Sequence, residues 1–120
     1  MLCLHGRSKR VALLITTTLA LVSFASLVAE AADPVTYEIT LKDQKFAPAE
    51  LKVPAGKAFI IKLSNENDAP AEFESKEMKF EKVVAGRAEI VVKVKALPKG
   101  TYKFVDEYHE DTALGTVIAE

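Results

Sequence analysis

The chain has 120 residues, a formal net charge of −1 at pH 7 and a single cysteine, Cys3. This length suits one domain, and one cysteine excludes an intrachain disulfide. The balanced charge and evenly spread lysines exclude the basic surface that nucleic-acid binding requires, so we expect no nucleic-acid partner.

The first 31 residues have the pattern of a secretory signal peptide. Three basic residues between positions 7 and 10 precede an apolar run over 11–28, and Ala29-Glu30-Ala31 follows with small residues at the positions a signal peptidase reads. We therefore expect cleavage near Ala31 and a periplasmic protein. The alternative is an uncleaved membrane anchor, because about 20 apolar residues can span a bilayer.

The remaining residues, 32–120, are predicted to form one all-β domain. Short apolar runs with period-two alternation and β-branched or aromatic residues predict strands, and clusters of Pro, Gly and Asn separate them. The region 71–84 is open between a helical turn near Glu74 to Met78 and the edge of a strand. The predicted strand segments are centred on residues 37–41, 59–63, 90–94, 102–104 and 117–118.

Two stretches of the domain resemble the cupredoxin family. The early stretch 45–57 reads KFAPAELKVPAGK, and the ending reads GTYKF over 100–104, followed by His109 and Gly115. The ordered set of pieces covers nearly all of residues 35–120. The resemblance implies a cupredoxin-like Greek-key β-sandwich.

The resemblance also shows where this chain departs from a blue-copper protein, whose ligands are two histidines, a cysteine and a weakly bound methionine. Asp106 stands at the cysteine position, His109 keeps the second histidine position, and Ala113 stands at the methionine position. Glu72 falls near the first histidine position, although the loop length leaves room for Glu74 instead. Such a chain cannot hold a blue-copper centre.

The segments 72–84 and 106–115 further resemble non-blue cupredoxin-like components of bacterial iron uptake. These occur with periplasmic ferrous-iron binding proteins and with ferroxidase-coupled iron permeases. The resemblance implies a periplasmic metal-binding protein that acts in iron uptake, with or without copper. Its implied partners are a membrane iron permease and a periplasmic iron-binding protein.

In such a sandwich, the segments 66–78 and 106–113 are expected to meet at one end and form a carboxylate-rich pocket. Oxygen donors suit iron, and imidazole also admits Cu(II), so the expected cofactor is an iron or copper ion. The candidate metal ligands are His109, Asp106, Glu72, Met78, Glu107 and Glu74.

Two other functions remain open at this stage. A metal-free interaction module would have Asp106 pointing away from Glu72 or paired with a lysine. A periplasmic copper-binding protein would need more soft ligands than Met78 and His109. Hydrolytic catalysis is disfavoured because His109 is the only histidine after residue 31, so any enzymatic part is limited to an accessory, ferroxidase-type role.

Overall fold

Period-two alternation of apolar side chains determines the architecture of residues 33–120, which a computed structural model describes. Each strand turns one row of apolar side chains inward, and two sheets bury these rows against each other. The four-stranded sheet has the order β2-β1-β4-β7 and the five-stranded sheet the order β3-β9-β8-β5-β6. The strands are β1 (Val35–Lys42), β2 (Lys45–Ala47), β3 (Glu50–Val53), β4 (Phe59–Asn65), β5 (Ala71–Ser75), β6 (Phe80–Val84), β7 (Glu89–Val94), β8 (Gly100–Asp106) and β9 (Leu114–Ala119).

The strand pairing is mixed. β1 runs parallel to β4, and β3 runs parallel to β9, whereas the other pairs are antiparallel. A short 3-10 helix, Glu107–His109, follows β8 directly. The predicted all-β sandwich is therefore confirmed. The region 71–84, for which the sequence allowed either a helical turn or a strand edge, forms the hairpin of β5 and β6. Residues 76–79 are the turn of that hairpin.

Four phenylalanines fasten the two sheets together next to β5 and β8. Phe73 of β5 is fully buried and lies 4.8 Å from Phe80 and 5.5 Å from Phe104 between ring centroids. Phe46 of β2 contacts Phe104 across the sandwich with ring centroids 5.0 Å apart. Edge-to-face and tilted contacts of this kind favour a fixed geometry. The strands that carry the candidate ligands are thus held rigidly.

The predicted signal peptide, residues 1–31, lies outside the described residues, so its cleavage near Ala31 and the periplasmic location stay predictions. The start of the domain at residue 32 is likewise a prediction. Within residues 33–120, no helix is long and apolar enough to cross a membrane.

Candidate metal centre

Strand β5 presents its side chains to two different faces of the five-stranded sheet. Phe73 lies opposite Asp106 of β8, and both face the interior of the sandwich. Glu74 lies opposite Val105 of β8 and Glu81 of β6 on the outer face. Because side chains alternate along a strand, Glu72 shares the outer face with Glu74. The predicted ligands on β5 therefore lie on the opposite face from Asp106.

Asp106 ends β8 with a buried carboxylate, of which only 1% is exposed. Its Oδ1 accepts hydrogen bonds from the backbone N–H groups of Glu72, at 2.9 Å, and Tyr108, at 3.1 Å. Its Oδ2 lies 2.9 Å from Nδ1 of His109. Asp106 is thus the N-cap of the 3-10 helix, since its side chain accepts the bond from Tyr108 in the helix. These three contacts satisfy a buried charge that would otherwise be costly.

His109 lies at the same end of the sandwich as Asp106, and its Nδ1 is the ring nitrogen in contact with the Asp106 carboxylate. Its side chain is 30% exposed and borders a cleft of about 370 Å³, together with Asn67, Asp68 and Pro70. A carboxylate that holds one ring nitrogen leaves Nε2 as the atom available to a ligand. Asp106 therefore positions His109, and its oxygens are already occupied.

The interior of this end does not fit a blue-copper centre. At the start of β5, Ala71 is the inward-facing residue near Asp106, and it is 2% exposed. Ala113 is fully buried. The sequence alignment placed Glu72 here, but a shift of one residue moves a side chain to the other face of a sheet. No thiolate or thioether is available at this position in residues 33–120.

Met78 does not join the other predicted ligands. It lies in the turn between β5 and β6 and borders a pocket with Leu97, Pro98 and Tyr102. Tyr102 is near the start of β8, whereas Asp106 is at its end. Met78 is 8% exposed and packs in the core, so the structure places it at the far end of the sandwich from Asp106.

Three carboxylates converge on the outer face of the sheet instead. Glu72 of β5, Glu81 of β6 and Glu107 of the 3-10 helix each offer an oxygen, and these oxygens lie within 4.8 Å of one another. Glu72 is half-buried, and the other two are exposed. The hairpin of β5 and β6 and the 3-10 helix thus bring like charges together, which is unfavourable unless a proton or cation is shared among them.

Glu74 extends this group on one side. Its carboxyl lies within hydrogen-bonding reach of the Glu107 carboxyl. The residue is only 7% exposed, and its Oε2 has no hydrogen-bond partner within residues 33–120. Buried polar atoms are rarely left unpaired, so a water, a proton shared with Glu107 or a cation is expected at this oxygen. We call Glu72, Glu74, Glu81 and Glu107 the outer cluster.

The electrostatics of the outer cluster reflect this crowding. Hydrogen bonding to Glu81, followed by burial and the charge of Glu107, raises the pKa of Glu72 to about 7. Hydrogen bonding to Glu107 and burial likewise raise the pKa of Glu74, against a smaller opposing effect of Lys76. A bound cation would relieve the repulsion that raises both pKa values.

Three members of the outer cluster are predicted from the sequence as candidate ligands, whereas Glu81 is not. The segment around it reads as an exposed strand of mixed charge, with lysines at positions 76, 79 and 82. Only the pairing of Glu81 with Glu74 across β5 and β6 reveals its place. The register of the hairpin identifies Glu81 as a member of the outer cluster, because directly opposed residues share a face.

Comparison with known proteins gives one family match and one relative. Residues 11–119 match the model of a family described as a cupredoxin-like domain. The uncharacterized protein RP394 of Rickettsia prowazekii is 35% identical over 81 residues, which cover 68% of this chain and 65% of that protein. The matched part thus spans slightly less than two thirds of that relative.

Solved structures share the fold at low sequence identity. Auracyanin A, a "blue" copper protein from Chloroflexus aurantiacus, matches with a TM-score of 0.63 and 18% identity over 72% of this chain and 99% of its own. The metal binding domain of the Cu(I) exporting P-type ATPase CopA from Streptococcus pneumoniae D39, solved with Cu(I), matches with a TM-score of 0.60 and 14% identity. That match covers 76% of this chain and 91% of the domain.

The Asp106→Ala substitution is expected to destabilise the fold. It leaves the part-buried backbone N–H groups of Glu72 and Tyr108 without their acceptor, and an unpaired buried donor costs about 1–3 kcal/mol, so we expect a loss in this range. Urea denaturation followed by circular dichroism measures the change. Asp111→Ala, which removes an exposed acid in the next loop, should change stability by less than about 0.5 kcal/mol. Equal effects of the two substitutions would contradict the role given to Asp106.

The metal-free protein is expected to lose stability as pH rises from about 4.5 to about 7. The pKa of Glu72 is raised from 4.5 to about 7 in the folded chain, so the folded state binds more protons than the unfolded state in this window. The free energy of unfolding therefore falls with increasing pH. Urea denaturation in the presence of a chelator, at pH values across and above the window, measures it.

Glu72→Gln should reduce this fall in stability, because glutamine does not titrate. Glu38→Gln is the matched control, since Glu38 is exposed on β1 of the other sheet, and it should keep the wild-type profile. A wild-type profile that is flat or rises through the window would refute the expectation.

Proposed function

Because this chain belongs to the family of cupredoxin-like domain proteins, we propose that it is an exported metal-binding protein that carries a hard cation, iron in the first place, at its outer cluster. The observation that carries the proposal is the convergence of three carboxylate oxygens within 4.8 Å, beside the unpaired buried oxygen of Glu74. The bound metal is cargo that the protein passes on. The proposed recipient is a membrane iron permease, which a periplasmic iron-binding protein is proposed to supply as well.

The choice of iron rests on donor chemistry and on sequence. Carboxylate oxygens are hard donors that suit Fe(II), Fe(III) and Mn(II) better than Cu(I). The segments 72–84 and 106–115, which resemble components of bacterial iron uptake, contain all four residues of the outer cluster. Both arguments favour iron over the copper that is named for the structural neighbours.

Copper is the second candidate metal, and it is favoured by one observation. Asp106 fixes His109 at Nδ1, so Nε2 can face a ligand, and imidazole binds Cu(II) well. The fold shared with copper proteins supports the same assignment. This candidate uses His109 and does not need the outer cluster, which makes the two metals separable by substitution.

A metal-free interaction module is the competing function. Its support is the inner end of the sandwich, where Asp106 is fully hydrogen-bonded and the side chain of Glu72 lies on the other face. The partner of Asp106 is His109, and no lysine pairs with it among residues 33–120. The unpaired oxygen of Glu74 has no explanation under this function.

Titration with Fe(II) under anaerobic conditions, and with Mn(II) and Cu(II), tests the metal-binding proposal. We expect Fe(II) and Mn(II) to bind with micromolar or tighter affinity, and Glu81→Gln to weaken binding by about tenfold or more, because it removes a charged ligand. His109→Ala and the control Glu38→Gln should leave Fe(II) binding unchanged.

The outcomes of this titration decide among the three functions. Loss of binding in His109→Ala but not in Glu81→Gln would replace the iron site with the copper site at His109. Absence of binding for every metal would favour the interaction module.

The uptake role is tested in a bacterial host that depends on a ferrous-iron permease of this type for growth. Co-expression of the wild-type protein is expected to improve growth under iron limitation, and the Glu81→Gln variant should not. Glu38→Gln serves as the control for expression and folding. Equal growth with the wild-type and Glu81→Gln proteins would contradict a role of the outer cluster in iron delivery.

A further inference from the structure

We propose that the outer cluster holds two cations side by side, with Glu81 and Glu107 shared between them and with Glu72 and Glu74 each at one end. This inference rests on the proposed function, since it concerns the same residues, and it adds the nuclearity of the site. It assigns Glu81 and Glu107 as bridging ligands.

The spacing along β5 provides the first argument. Residues two apart on a strand lie about 7 Å from each other on the same face, and Glu72 and Glu74 have this separation. Two metal ions in a shared carboxylate site are typically about 3.5–4 Å apart. The interval between the two β5 side chains therefore accommodates two ions, one next to each.

The contacts of Glu107 and Glu81 provide the second argument. Glu107 lies within hydrogen-bonding reach of both Glu72 and Glu74. Oxygens of Glu81 and Glu72 lie within 4.8 Å of each other, and Glu81 lies directly opposite Glu74 in the strand pairing. Glu74 does not belong to the group of oxygens that lie within 4.8 Å of one another. A single ion among Glu72, Glu81 and Glu107 would therefore not engage Glu74 equally.

The burial of Glu74 provides the third argument. The residue is 7% exposed, and its Oε2 has no partner among the described residues. Isolated buried carboxylates are costly. A first cation bound by the other three carboxylates would leave this oxygen unpaired, whereas a second cation next to Glu74 would satisfy it.

The charge of the outer cluster also favours two cations over one. The four carboxylates carry four negative charges when ionised, and the positive group that acts on Glu74 is the exposed Lys76. One divalent cation would leave two of these charges uncompensated, and two divalent cations would neutralise all four. Carboxylate bridges between two metal ions are an established way for a protein to combine such charges.

Mn(II) is the probe that tests this inference, because it prefers oxygen ligands and its electron paramagnetic resonance spectrum distinguishes isolated from coupled ions. We expect the wild-type protein to bind two Mn(II) per chain by equilibrium dialysis and to show the spectrum of an exchange-coupled pair. Glu74→Gln should bind one Mn(II), with the spectrum of an isolated ion. Glu38→Gln should behave as the wild type.

Each outcome decides the inference separately from the proposed function. One Mn(II) per wild-type chain, with an uncoupled spectrum, overturns the two-cation site but leaves metal binding in place. No bound Mn(II), together with no bound Fe(II), overturns both. The coupled wild-type spectrum supports the pair even if Glu74→Gln does not fold, because it needs no variant.

Discussion

The hydrogen bonds of the Asp106 carboxylate are the constraint on which the functional end of the molecule depends. One buried group ties the start of β5, through Glu72, to the end of β8 and to the 3-10 helix. The backbone of Glu72 and the segment that begins with Glu107 are thereby held next to each other. The same carboxylate orients the imidazole of His109. At the position where the resemblance to cupredoxins implies a copper ligand, this chain has a hydrogen-bond acceptor that organises two surfaces.

The sequence predicted the sandwich because alternation of apolar side chains is a local pattern that directly reflects burial, as in β4, where every second residue is buried. It also predicted that Asp106 and His109 lie close together, since they are three positions apart in the chain. The alignment placed Glu72 at an interior position, but its side chain lies on the outer face of the sheet. Loop length sets that register, and a single sequence does not determine it.

The positions of Met78 and Glu81 relative to the other candidate ligands could not be predicted for a different reason. Both belong to the hairpin of β5 and β6, whose turn was unknown at that stage. Glu81 lies five residues beyond the start of a four-residue turn over 76–79, so its face depends on the turn. Met78 has a thioether that suggests a ligand, but its burial next to Leu97 in the core reflects packing between distant segments, which no local pattern encodes.

Glu81 comes from β6, which forms one edge of the five-stranded sheet and pairs within that sheet with β5 alone. Such a strand separates from its sheet more readily than a central strand. A cation bound by Glu81 together with residues of β5 and the 3-10 helix would link the edge strand β6 to the rest of the site. Opening of β6 would then be the natural route for the ion to leave, so that the lifetime of the bound metal would follow the fraying rate of one strand. A partner that pairs with the free edge of β6 could change that rate without touching a ligand.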